Sequence, residues 1–206
     1  MGEEKKETEP KMSKENSDAQ NKTLKNIFIG LGVIVFLIII VAFSINSAKH
    51  FEYRGITFDV VKEIAPYQTK VPLIYQGQPA EYNFYFRNDP RKLKNIPFEG
   101  EIILREDLVI NETQNFMCGG DGLIGIQNMK NLYGLFGTKF IKDPEAGCDI
   151  QGRYTFIQIR EGDETSIEQF GPSGTSCYNF YVNDCEMFEI TERFMIELLV
   201  KAKNNE

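Results

Sequence analysis

Four cysteines, one histidine and a glycine-rich turn are the residues of this chain whose types and spacing offer chemistry. Cys118, Cys148, Cys177 and Cys185 form an even set with no CxxC spacing. Thiol oxidoreductases and most zinc sites use closely spaced pairs, so this pattern points instead to two disulfides made in an oxidising compartment. Four cysteines allow three pairings. Cys118 and Cys148 flank one predicted helix with its following strand, and Cys177 and Cys185 flank another predicted strand; nearness along the chain favours these two pairs. Each bridge would restrict the unfolded chain by about 2–4 kcal/mol.

The run Gly120-Asp121-Gly122-Leu123-Ile124-Gly125 satisfies G-x-G-x-x-G and precedes a predicted helix, with Asp143 at the end of a possible strand beyond it. In a dinucleotide site such glycines let the backbone approach a pyrophosphate at a helix N-terminus, while the acid holds a ribose hydroxyl. The preceding residues, Asn111 to Asn115, are too polar for a buried parallel strand, and no second half-fold follows. The plainer reading is a glycine turn in which Asp121 caps the helix.

Hydrolytic chemistry lacks its usual base, because His50 is the only histidine and lies close to the apolar segment described below. This argues against a Ser-His-Asp arrangement and against His-built zinc sites. Carboxylates are plentiful (Asp143, Glu145, Asp149; Asp163, Glu164; Asp184, Glu186), but none forms a distinctive pair, and Asp143 to Asp149 does not follow a calcium-loop ladder. No catalytic, cofactor or metal residue is assigned. Asn111-Glu112-Thr113 is a glycosylation sequon on the exposed side, and Asn21-Lys22-Thr23 matches the same pattern in the N-terminal tail.

The element that sorts these residues into compartments is Ile27 to Ile45, IFIGLGVIVFLIIIVAFSI, which carries no charge. As a helix it spans roughly 28 Å, close to the hydrocarbon thickness of a bilayer. It is too long, and too far from the N-terminus, for a cleaved signal peptide. The sequence therefore predicts a disordered cytoplasmic tail over 1–26, a transmembrane helix over 27–46 and an extracytoplasmic domain over 47–206. Lys11, Lys14, Lys22 and Lys25 precede the helix and Lys49, Arg54 and Lys62 follow it, a slight excess that favours the N-terminus inside. The net charge of −7 resides in the part after the helix, which makes nucleic acid and anionic lipid heads poor partners for it.

Within the domain the predicted class is α+β, a mostly antiparallel sheet with one or two helices. Ile56, Phe58 and Val60 alternate with polar residues, as do Tyr82, Phe84 and Phe86, and Glu101 to Leu104 is a third candidate strand. Turns are expected at Gly77-Gln78-Pro79 and Asn88-Asp89-Pro90-Arg91. Ile126, Met129, Tyr133 and Phe136 recur at helical spacing, with Gly137 placed as a C-cap. Strands follow at 138–141, 154–159 and 178–182, and Ile190, Phe194 and Leu198 place a helix over 189–203, with a strand through Phe194, Ile196, Leu198 and Val200 as the competing reading. The aromatics Tyr82, Phe84, Tyr85 and Phe86 suit the core face of a sheet or a contact surface.

Three strings, YNFYFRNDPRKLKNIPFEGEI (Tyr82 to Ile102), CGGDGLIGIQNMKNL (Cys118 to Leu132) and ETSIEQFG with CYNFYVNDCE and TERF (Glu164 to Phe194), resemble those of small single-pass membrane proteins of archaea. The resemblance covers most of residues 50–200. It implies a retained anchor and an outward domain with paired cysteines, and it carries no catalytic residue. The expectation is a cell-membrane protein acting as a binding or assembly module of the envelope, with the bilayer (through 27–46) and another envelope protein as partners. The alternatives are an extracytoplasmic carboxylate-dependent hydrolase and, third, a nucleotide-binding domain at Gly120 to Gly125.

Overall fold

The computed structural model describes residues 12–62, 64–112, 116, 118–141, 143 and 145–204, with the side chains of 12–21, 23, 45–48 and 112 outside the description. The chain divides into two units, Met1–Ala48 and Lys49–Glu206.

In the first unit, helix α1 (Met12–Lys49) runs through the apolar segment and extends N-terminally beyond it. The helix thus reaches back to Met12 within the stretch expected as tail, and residues 1–11 lie outside the description. Leu24–Ser44 has a mean hydropathy of 3.1 and none of it is buried by protein. Its 21 residues rise roughly 31 Å, which is long and apolar enough to cross a membrane.

The second unit is α+β and opens with an antiparallel meander, β1 (His50–Tyr53), β2 (Ile56–Val60), β3 (Tyr67–Tyr75) and β4 (Gln78–Phe86), in that spatial order. The tight turns Arg54-Gly55 and Gln76-Gly77 have positive φ at both residues, the I′ geometry whose twist matches the flanking strands. The second turn thus begins one residue earlier than Gly77-Gln78-Pro79, and Gln78 and Pro79 already belong to β4. Alternation places Ile56 and Phe58, Thr69 and Val71, and Phe84 and Phe86 on the buried face. Tyr82 stays exposed and Tyr85 half-buried, so the aromatics of β4 serve mainly the core.

A six-stranded sheet follows, in the order β5 (Phe98–Glu99), β9 (Ser166–Phe170), β10 (Cys177–Val182), β8 (Tyr154–Glu161), β6 (Asp107–Glu112) and β7 (Lys139–Ile141). Here the pairing is mixed: β9 and β10 are antiparallel, while β10, β8, β6 and β7 are parallel in succession, as are β5 and β9. Glu101 to Leu104 is not a strand. Side chains of the sheet satisfy its backbone instead: Glu101 N–H donates to Gln169 Oε1 (2.9 Å), Ile103 N–H donates to the Tyr178 hydroxyl (3.1 Å), and Ser176 Oγ donates to the Ile103 carbonyl (2.7 Å). With those groups partnered, no strand ladder is needed.

Helices α2 (Asp121–Leu135) and α3 (Met187–Asn204) agree with the predicted segments, and the strand alternative for the C-terminal residues is not adopted. From Met187 to Leu199 only Glu189 and Glu197 escape burial, as expected of a helix covered on all sides. Phe194 carries the centre of the core, its ring 5.1 Å from those of Tyr178 and Phe180 and 6.4 Å from that of Tyr133. The same cluster includes Phe58, Val71, Phe84 and Phe86, so α3 joins the two sheets into one core. Truncating Phe194 to Ala would remove about 3–5 kcal/mol.

Candidate functional site

All four cysteines are bridged, but as Cys118–Cys185 and Cys148–Cys177, with Cα atoms 5.5 and 5.6 Å apart. The pairing expected from chain proximity is overturned by strand geometry. A strand holds its ends apart: eight residues of extended chain from Cys177 to Cys185 reach roughly 26 Å, far beyond a disulfide's span. Because β6, β8 and β10 are parallel, the connections leaving β6 and β10 meet at their C-terminal ends, where Cys118 joins Cys185. Cys177 begins β10 at the other end and takes Cys148 from the loop before β8. That second bridge sits in a small apolar cluster with Val109, Phe156, Tyr154 and Phe170, on the sheet face turned away from the main core.

The glycine run proves to be a packing device. β6 is a parallel strand after all, so β6, α2 and β7 form a βαβ unit, contrary to the polar reading of the residues ahead of the glycines. Its inward residue Leu108 is fully buried, and the polar run begins only as the strand ends. Yet the features that serve a phosphate are put to other use. Asp121 is the first helical residue rather than a cap, and its carboxylate, 3.3 Å from Arg87 Nη1, places negative charge at the helix N-terminus. The Cys118–Cys185 bridge ties down the turn before it. A Cβ at Gly125 would lie 2.8 Å from Thr191 Oγ1 and 3.3 Å from the Met187 carbonyl, so this glycine sets the approach of α2 to α3. Asp143 accepts from Glu145 N–H at 3.0 Å within its own turn.

Of the other acids named above, Asp149 is the one fixed by local partners among the described residues. Asp149 is buried and accepts four hydrogen bonds, from Arg153 N–H (2.6 Å), Arg153 Nε (3.0 Å) and Nη2 (3.1 Å), and Gln151 N–H (3.3 Å). The Arg153 guanidinium and these amides hold its carboxyl down to about 2. Among the described residues, no three His, Cys, Asp or Glu side chains converge as metal ligands would. His50 Nδ1 lies 2.5 Å from Asp59 Oδ1 across the β1–β2 pair. Asn111 is half-buried in β6 with Nδ2 3.4 Å from the Ala146 carbonyl, while Thr113 of its sequon and the side chains of Asn21 and Thr23 lie outside the description.

Sequence reasoning missed Glu192, which is 1 % exposed in α3. Its carboxylate accepts from the backbone N–H of Arg87 (2.6 Å) and Asn88 (2.9 Å) and from Asn88 Nδ2 (3.0 Å), where the chain leaves β4. Burial, set against those three donors, pushes its carboxyl up to about 7. It faces backbone and lines neither cavity described below, so it is a tie between α3 and the meander. The sequence alone did not mark it out, because α3 also carries Glu189, Arg193 and Glu197, and the burial against two backbone N–H groups that distinguishes Glu192 from them arises only in the fold.

Two cavities flank α3. One, of about 290 Å³, is bordered by charged side chains including Arg54, Glu101, Glu197 and Lys201. The other, of about 350 Å³, opens between β2, β3 and the C-terminal end of α3. Ile56, Val71, Pro72, Phe136, Leu199 and Ala202 give it apolar walls, and Thr57, Thr69, Asp59, Lys70 and Lys203 supply its polar groups. A concave, mostly apolar pocket with a few polar groups is the form small-molecule sites take. None of its residues was singled out by motif, because the wall brings β2 and β3 together with Phe136 and the end of α3, which lie far from them in sequence.

No protein-family model, no curated protein and no solved structure matches this chain.

Proposed function

We propose that this is a single-pass membrane protein, anchored by residues 27–46, whose domain over 47–206 lies outside the cytoplasm and works as a binding module of the cell envelope. The observation that carries the reading is the complete pairing of the cysteines into two bridges at opposite ends of one sheet, on a domain preceded by an apolar helix. Such bridges persist where thiols are oxidised. The lysines ahead of the apolar segment, Lys11, Lys14, Lys22 and Lys25, support the N-terminus inside. Binding is favoured over catalysis because the perturbed carboxyls, Asp89, Asp149 and Glu192, are consumed by structural hydrogen bonds, whereas a preformed apolar pocket is open. The bilayer is one partner, and another envelope protein is the other.

The test is a non-reducing peptide map of the protein taken from native membranes with free thiols blocked at lysis. Linked Cys118–Cys185 and Cys148–Cys177 peptides are expected. Alkylation of all four cysteines would place the domain in a reducing compartment and overturn the proposal.

A further inference from the structure

The pocket between β2, β3 and the end of α3 carries an imbalance of charge that specifies what it can hold. Three charged side chains line it. Asp59 is engaged by His50 at 2.5 Å, and Lys70 is engaged by Glu81 at 2.9 Å. Lys203 donates to the carbonyl of Gly55, in the I′ turn between β1 and β2, and among the described residues no carboxylate pairs with it. An ammonium has three donors, so a neutral carbonyl leaves both charge and donors uncompensated.

We propose that this pocket binds a compact molecule with an apolar body and a single anionic group, the body against Ile56, Val71 and Leu199 and the anion on Lys203. This rests on the reading of the domain as a binding module and names its ligand class. A cation is disfavoured because two lysines face one already engaged carboxylate. A polyanion lacks a second uncompensated cation and meets the acidic field of the domain. At about 350 Å³ the volume is at the small end of ligand pockets, roughly 300–1,000 Å³, so the body is short.

The experiment uses the full chain in lipid nanodiscs and three probes of equal length, hexanoate, hexanol and hexylammonium, with binding read by saturation-transfer NMR and competition. Hexanoate is expected to bind roughly tenfold more tightly than the other two, the scale of one charge-assisted hydrogen bond. Lys203→Met, which keeps the apolar stem, is expected to bring hexanoate down to the level of hexanol. Ala202→Trp, which fills the cavity, is expected to remove binding of all three. Equal binding of the probes, hexanoate binding unchanged by Lys203→Met, or signals that survive Ala202→Trp would each overturn the assignment. Absence of binding by every probe would also overturn it, and the disulfide map, which does not depend on this pocket, would then judge the membrane-anchored reading separately.

Discussion

Burying Glu192 against two backbone amides makes the stability of the domain depend on pH in an unusual direction. The folded carboxyl sits at about 7, against an ordinary value of 4.5. A raised folded value means that the folded state holds the proton more tightly than the unfolded chain. The resulting stability is fully present below pH 4.5 and is lost as pH rises through about 7. At 1.36 kcal/mol per pH unit the gap between the two values corresponds to a loss of about 3 kcal/mol. Glu192→Gln keeps the shape and an acceptor oxygen for Arg87 or Asn88 but cannot ionise. Urea unfolding of the full chain in a mild detergent, followed by tyrosine fluorescence, gives the comparison at pH 4.5, 6 and 7.5. The two proteins should be similar at pH 4.5, and the variant should be more stable by about 2–3 kcal/mol at pH 7.5. Subtracting one curve from the other removes every titration except that at residue 192. Parallel curves, or a wild type that gains on the variant as pH rises, would refute the argument that desolvation outweighs the three donors.

Two further outcomes are expected. Gly125→Ala forces a methyl group to 2.8 Å from Thr191 Oγ1 and should lower stability by about 1–3 kcal/mol in thermal unfolding; Thr191→Ala in the same chain should recover part of that loss. Replacing Cys118 and Cys185 by Ser should lower the unfolding free energy by about 4 kcal/mol, and replacing Cys148 and Cys177 by slightly less, because the first bridge closes 67 residues and the second 29. Denaturant unfolding of the two double variants tests that order.

Elements whose signal is local were legible in the sequence. Ile126, Met129 and Tyr133 repeat at the helical period and are buried together, and Phe84 and Phe86 alternate and face the core, because one face of each element meets the interior. Glu101 to Leu104 alternates too, but the hydroxyls of Tyr178 and Ser176, more than seventy residues away in sequence, take up its backbone groups, which no local pattern reveals. The parallel run of β10, β8, β6 and β7 escaped for a related reason: parallel partners are set by crossovers, and β6 is only six residues long. The pocket depends on the C-terminal residues of α3 reaching β2 and the turn at Gly55, a contact across 148 residues.

The central position of α3 has a consequence for how the protein is made. The ribosome makes α1 before the domain and α3 after every strand that it covers, so roughly 8–30 s of synthesis at 5–20 residues per second separate Lys49 from Asn204. During that interval both sheets lack the helix that covers them. Cys118 and Cys148 emerge first, before either native partner. An oxidase that joins thiols in order of appearance would make the very bridge that the finished domain excludes. Native pairing therefore calls for delayed oxidation or for an isomerase that reshuffles the early bond once Cys177 and Cys185 have arrived.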